Sequence, residues 1–243
     1  MRRSKFADIP TGADNPLNAA VSARDRDTLA MVEAAVKHSQ TLLAFQPIMI
    51  THNRQVGFYE GLIRVMDDTG RVIPAKDFMP VVEKAELGRE IDALALNMGL
   101  RTLAENPSLR LSINMSARSI GYQNWMKTLN RWLKRARTLG ARLILELTER
   151  YLKDFYFDIL KIDMQFCHGI ADDPDIRALT KAMLGIGHHF DMLVVGEGLE
   201  RAEDVAVMAE LGVDCLQGYY FDAPTVRPNW MFGERRTAQT AQA

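Results

Sequence analysis

Acidic and amide side chains recur in this chain at the ends of short apolar runs. The runs are FYEGLIR with Glu60, LSINMS with Asn114, LILELTE with Glu146 and Glu149, DILKID with Lys161 and Asp163, VVGEGLE with Glu197, and CLQGYY with Gln217. Several carboxylates and an amide oxygen brought to one place suit hard cations such as Mg²⁺ or Mn²⁺, which prefer oxygen ligands. Glu146 lies between Leu145 and Leu147, so a carboxylate turned inward there needs a partner. Glu197 is flanked by glycines, and that tight backbone favours a site over a loose surface charge. Other polar groups have plainer readings. His188 and His189 close a helix whose dipole accounts for them, and Met183, Met192 and Met208 read as packing.

Positioning these groups requires strands that end at one rim. LLAFQPIMI (42–50) and VGFYEGLIRV (56–65) read as an antiparallel hairpin across the turn at 51–55. Later strands are expected at 109–116, 142–149, 157–163, 193–199 and 213–221. Helical periodicity falls at 74–87, 89–105, 125–139, 175–190 and 201–211. Alternation of this kind, with polar groups at the strand ends, predicts an α/β (β/α) barrel with its functional groups at the C-terminal mouth. Residues 1–24 read as an irregular arm, with Asp25 or Asp27 capping the first helix; the barrel domain spans 25–227, and 228–243 reads as a mobile tail.

One connection does not fit that barrel. Only seven residues, RYLKDFY, separate Glu149 from the strand at Phe157, whereas parallel neighbours need a crossover of roughly a dozen or more. Seven strands are counted where a closed barrel of this class has about eight. The reading is that one helix-strand unit is lacking after Arg150.

Composition narrows the partners. The formal net charge of −1 offers no basic face for bulk nucleic acid. No apolar run approaches the roughly 18 residues that cross a bilayer, so membrane insertion is not expected. Cys167 and Cys215 form no metal-type pair and are expected as reduced thiols, which suits the cytoplasm.

The runs, taken in order, resemble the EAL family of cyclic di-GMP phosphodiesterase domains. The resemblance rests on FQPI (45–48), EGLIR (60–64) for the family's E-A-L-L-R, IPAKDFMPVVEKAEL (73–87), SINMSARS (112–119), ELTE (146–149), FDILKID (157–163), EGLE (197–200) and QGYYFDAP (217–224). It implies a modified TIM barrel with an antiparallel first strand. It also implies cleavage of one phosphodiester of cyclic di-GMP to the linear dinucleotide with two Mg²⁺ or Mn²⁺ ions. By motif, Glu60, Asn114, Glu146 and Glu197 would hold metal, and Glu197, Lys161 and Glu149 would serve catalysis. Gln46, Leu62, Arg64, Asp163 and Gln217 would meet the ligand or orient the site.

Two departures stand out. Gly61 replaces the family's alanine. More seriously, the family's segment between ELTE and KID, with its Asp-Asp-Phe-Gly loop and metal-binding aspartates, has no counterpart, since ELTER (146–150) runs straight into YLKDFYFD (151–158). One cation or none is then expected in place of two, and turnover should be impaired. The family's homodimer, which uses helices of that region, is a weakened expectation. Three readings stay open: a metal-dependent phosphodiesterase, a non-catalytic module binding cyclic di-GMP or a protein, and a shortened chain without activity.

Overall fold

The run TLLAFQPIMI forms β1 (Thr41–Ile50), which folds back on β2 (Val56–Met66) in an antiparallel hairpin that sets Gln46 opposite Glu60. This computed structural model describes residues 16–148 and 157–232. β2 continues in parallel into β4 (Leu111–Ser116), and β4 into β5 (Leu143–Thr148), with Asn114 beside Glu146. On the other flank, β1 pairs antiparallel with β8 (Cys215–Leu216), followed in parallel by β7 (Leu193–Gly196) and β6 (Ile159–Ile162). The sheet order is β5-β4-β2-β1-β8-β7-β6, with the short β3 (Val72–Pro74) paired to β2. The result is a curled α/β sheet with the expected antiparallel first strand. Among the described residues β5 and β6 are its two ends.

Helices cover the outer face. They are α1 (Pro16–Lys37), α2 (Ala75–Val82), α3 (Glu86–Glu105), α4 (Gln123–Arg135), α5 (Pro174–His189) and α6 (Ala202–Leu211). Strand alternation sends Leu111, Ile113 and Met115 of β4 outward into one core with Ile91, Leu96 and Leu100 of α3. Ile162 and Val194 pack outward with Leu184 of α5 and Met208 of α6. A third cluster, Ile48, Phe58, Val195 and Cys215 with Ile144 and Ile159, draws on strands from both flanks and fills the inside of the curl.

Several boundaries differ from expectation. The irregular arm assigned to 1–24 is corrected at its end, because α1 begins at Pro16. The Gly, Pro and Asn residues that suggested an arm fall at 10–18, while the stretch from Ala19 is rich in alanine, and proline suits a first helical turn. Residues 1–15 lie outside the described residues. The tail assigned from Pro228 is corrected too: Asn229–Phe232 is a 3₁₀ turn, and Trp230 packs edge-on against Phe45 at 5.1 Å and Tyr59 at 5.9 Å. A lone tryptophan has no periodicity to announce its docking; residues 233–243 lie outside the described set. The last strand is shorter than 213–221, since the chain turns where Gly218 crosses Leu199 so closely that a Cβ would sit 2.0 Å from the Leu199 carbonyl oxygen. β3 was absent from the reading because three residues carry no alternation signal.

Gly61 has a steric explanation. A Cβ there would meet Ile113 Cδ1 at 2.7 Å, and a Cβ on Gly99 of α3 would meet the same methyl at 2.7 Å. Ile113 occupies the space that two glycines leave between β2, β4 and α3. Gly61→Ala should therefore destabilise by about 1 kcal/mol, the low end for overpacking because the opposing atom is the tip of a side chain. Gly61→Ala combined with Ile113→Val should cost less than the sum of the two single changes in denaturant unfolding. Strict additivity would disprove the shared space.

Candidate functional site

The polar residues of the mouth lie one pleat repeat from the apolar plug. Phe58 is followed two residues on by Glu60, Ile144 by Glu146, Ile159 by Lys161, Val195 by Glu197 and Cys215 by Gln217. On β1, which runs the other way, Ile48 is preceded by Gln46. Because side chains alternate with a period of two, each strand that puts an apolar residue in the plug puts a polar one in the layer above it.

Lys161 is the centre of that layer. Its Nζ donates to Glu146 Oε2 at 2.9 Å and to Glu60 Oε2 at 3.3 Å, and it also pairs with Glu197. Asn114 Nδ2 donates to Glu60 Oε1 at 2.6 Å, and Gln217 Nε2 donates to Glu60 Oε2 at 2.7 Å. Gln217 Nε2 also donates to Gln46 Oε1 at 2.9 Å, and Gln46 Nε2 to the Asp222 carbonyl oxygen at 3.2 Å. Seven of the expected residues, Gln46, Glu60, Asn114, Glu146, Lys161, Glu197 and Gln217, thus form one connected cluster. The backbone narrows around it: Gly198, beside Glu197, holds φ at +69°, and a Cβ there would lie 2.3 Å from Met164 Cβ.

The remaining expected residues are placed differently. Leu62 and Arg64 follow Glu60 along the same face of β2. Leu62 lines a cavity of about 230 Å³ that also touches Asn114, Asp92 and Lys76. Arg64 Nη1 donates to the Ile63 carbonyl oxygen at 3.0 Å. Asp163 is not joined to the cluster by any described hydrogen bond; exposed, it caps the turn after β6 by accepting from the Gln165 amide at 2.9 Å. Glu149 lies outside the described residues. Asp92 was not foreseen. Buried on α3, it accepts from the Ser116 amide at 2.9 Å and the Ser119 hydroxyl at 2.6 Å, fixing the end of β4 two residues beyond Asn114. An aspartate between Ile91 and Ala93 on an apolar helix face was the available signal.

The carboxylates divide in their electrostatics. Burial pushes the Glu60 carboxyl up, but Lys161 with the Gln217 and Asn114 hydrogen bonds outweighs it and holds Glu60 below the usual range. Burial and the neighbouring Glu60 charge raise Glu146, more than Lys161 lowers it. Burial alone would depress Lys161, yet Glu60, Glu146 and Glu197 together raise it well above an ordinary lysine. Glu60 therefore contributes stability that is present above the ordinary carboxylate range and is lost as pH falls through its lowered value. Glu146 has the opposite sign: its ionisation costs stability at neutral pH, and the cost is relieved as pH falls. Lys161 contributes across the neutral range, a contribution lost only at strongly alkaline pH.

A divalent cation is tested against these residues by what they leave unsatisfied. Among the described residues no group of three or more His, Cys, Asp or Glu is arranged to hold a metal by itself; the ammonium of Lys161 stands among the three glutamates. Yet Glu146 Oε1 and Gln217 Oε1 are buried without a close hydrogen-bond partner; the nearby Ser112 hydroxyl, 3.5 Å from the Tyr59 carbonyl oxygen, gives Glu146 only a weak interaction that does not offset its burial. Three carboxylates against one ammonium leave negative charge to offset. Oxygen donors, surplus negative charge and orphaned acceptors fit Mg²⁺ or Mn²⁺.

An α/β barrel-like sheet with a carboxylate, amide and lysine cluster at its carboxyl rim defines the class. The EAL domain family model matches residues 29–152 and 150–224, and the chain belongs to that family. The signaling protein YkoW of Bacillus subtilis is 24% identical over 80% of this chain and 29% of its own length. The cyclic di-GMP phosphodiesterase PdeF of Escherichia coli is 25% identical over 82% of this chain and 32% of its own. The chain thus spans about a third of the length of these relatives. In fold it is similar to the PaMucR phosphodiesterase solved with c-di-GMP, with a TM-score of 0.73 at 22% identity over 84% of this chain and 99% of that one. The Xanthomonas citri FimX EAL domain, also solved with c-diGMP, gives a TM-score of 0.73 at 18% identity over 86% of this chain and 98% of that one.

The opposed shifts of the two glutamates are separable by experiment. Glu60→Gln should lower unfolding stability at pH 7 by about 2–3 kcal/mol, since an amide cannot accept from all the donors converging there. Glu146→Gln should leave stability unchanged or higher at pH 7, with the difference from wild type shrinking as pH is lowered. Equal destabilisation by both changes would refute this division of charge.

Proposed function

We propose that this chain binds cyclic di-GMP across the carboxyl rim of its sheet and hydrolyses one of its phosphodiester bonds with Mg²⁺ or Mn²⁺, more slowly than its intact relatives. The observation that carries this reading is the convergence of Glu60, Glu146 and Glu197 on Lys161, with Asn114 and Gln217 bonded to Glu60. Relatives named as cyclic di-GMP phosphodiesterases support the choice of substrate.

Glu60, Asn114, Glu146 and Glu197 would hold the cation, Asn114 through the oxygen left when its nitrogen faces Glu60. When bound, such a cation lowers the pKa of a coordinated water and offsets charge on the phosphoryl oxygens. Lys161 would hold a phosphate oxygen or the attacking water by its ammonium. Glu197, the most open of the three glutamates paired with Lys161, would take the proton. Arg64, whose one described hydrogen bond is to a backbone carbonyl, has donors left for a phosphate. Leu62 and Asp163 would border the ligand, and Glu149 would brace the neighbouring loop. Cys167 and Cys215 are free and buried, with burial raising their thiols to about 12 and about 11, so neither is a reactive nucleophile at neutral pH. No described helix is long and apolar enough to cross a membrane.

The reduced rate rests on the junction after Arg150. The two matched segments meet and overlap at residues 150–152, where the resemblance places the Asp-Asp-Phe-Gly segment and only seven residues lead to Phe157. The same junction favours a second reading, a non-catalytic module that retains ligand binding.

We also propose a homodimer contact on α5. Leu179 and Ile186 are more than half exposed, beside exposed Ala178, Ala182 and Gly185. A two-fold axis at Ala182 would set Leu179 against Gly185, Ile186 against Ala178 and Asp175 against His189 of a second copy. Large residues then face small ones, and acid faces base.

Two measurements test these readings. Purified protein with cyclic di-GMP and Mn²⁺ should release linear dinucleotide, and Glu197→Gln should abolish product while binding persists. Binding without product selects the module; no binding removes both readings. Sedimentation should show a dimer that Ile186→Lys converts to monomer, and a wild-type monomer at all concentrations would rule the contact out.

A further inference from the structure

We infer that Gln46 is a positioning residue that sets which end of the Gln217 amide faces Glu60. Sequence placed it among ligand contacts, yet both of its polar ends are taken. Its nitrogen donates to the Asp222 carbonyl oxygen at 3.2 Å, and its oxygen accepts from Gln217 at 2.9 Å. Gln46 and Gln217 are both buried.

The chain of bonds has a direction. A backbone carbonyl only accepts, so Asp222 requires the nitrogen of Gln46, and the Gln46 oxygen is thereby presented to Gln217. Glu60 Oε2 lies within hydrogen-bond reach of the Gln217 nitrogen. Gln217 therefore commits its nitrogen to two acceptors at once, Gln46 Oε1 at 2.9 Å and Glu60 Oε2 at 2.7 Å. Turned over, it would set its own oxygen against the Gln46 oxygen with no proton between them. Its Oε1 is consequently the buried atom left without a partner. The relay also ties the Asp222 turn to β1, where Phe45 and Thr225 exchange backbone hydrogen bonds at 2.7 and 3.0 Å.

The link between the two glutamines stands on these contacts alone; its catalytic consequence rests on the phosphodiesterase reading. Gln46 acts through Gln217 and Glu60 and touches no reacting atom. Its loss frees Gln217 to turn or tilt, and Glu60 loses a fixed donor.

Side-chain amide NMR of ¹⁵N-labelled protein tests the link without reference to activity. Gln46→Leu should collapse the protection and dispersion of the Gln217 NH₂ pair, assigned by its disappearance in Gln217→Leu. An unchanged Gln217 pair overturns the proposal. Kinetics with cyclic di-GMP and Mn²⁺ test the consequence. Gln46→Leu should lower kcat about tenfold, the scale of one buried hydrogen bond to a charged group, with KM little changed. The double variant should be no slower than Gln217→Leu alone. A raised KM with kcat intact, or effects that multiply in the double variant, would mean that Gln46 meets the ligand directly. A wild-type protein without turnover removes the phosphodiesterase reading, and the NMR result still decides the link.

Discussion

Three glutamates gathered in one partly dry place repel each other, and among the described residues it is the Lys161 ammonium that makes their approach tolerable. Lys161 reaches Glu60, Glu146 and Glu197 at once, drawing together strands from both flanks of the sheet. The compensation is uneven. Glu60, with two amide donors and the lysine, is held below the usual carboxylate range, while Glu146 has a buried oxygen without a close partner and is raised. Burying charge without full pairing is costly, and the cost is concentrated where a cation would relieve it.

Beneath that layer lies a dry one. Ile48, Phe58, Ile144, Ile159, Val195 and Cys215 close the inside of the curl, so water reaches the glutamates from the rim side. The two layers are the same strands read two residues apart, a direct result of the pleat. The supports outside them are local: Asp92 secures the end of β4 beyond Asn114, and Gly198 lets the chain pass Met164 beside Glu197. A site made this way takes its precision from strand register rather than loop conformation, since Asn114 and Glu146 are registered neighbours and Gln46 and Glu60 face one another.

Much of this was legible before any coordinates. Strand runs ending in Glu60, Asn114, Glu146, Lys161, Glu197 and Gln217 carried both the pleat period and the chemistry, and the hairpin was marked by its turn. The errors fell where the signal is weak or nonlocal. Trp230 and Asp92 are single residues whose partners lie far along the chain, and α1 starts earlier than its capping candidates suggested because an alanine-rich stretch propagates helix without them.

By itself, the sequence determined which side chains could share a rim, because alternation and strand order are periodic properties that survive projection onto a string of letters. Tertiary structure alone decided how they share it: that Lys161 takes three carboxylates at once, that Gln46 turns to Gln217, and that Glu146 Oε1 is left without a close partner. Those outcomes depend on distances of about 3 Å between residues from opposite flanks. Curvature and register set such distances, and no local stretch of residues contains them.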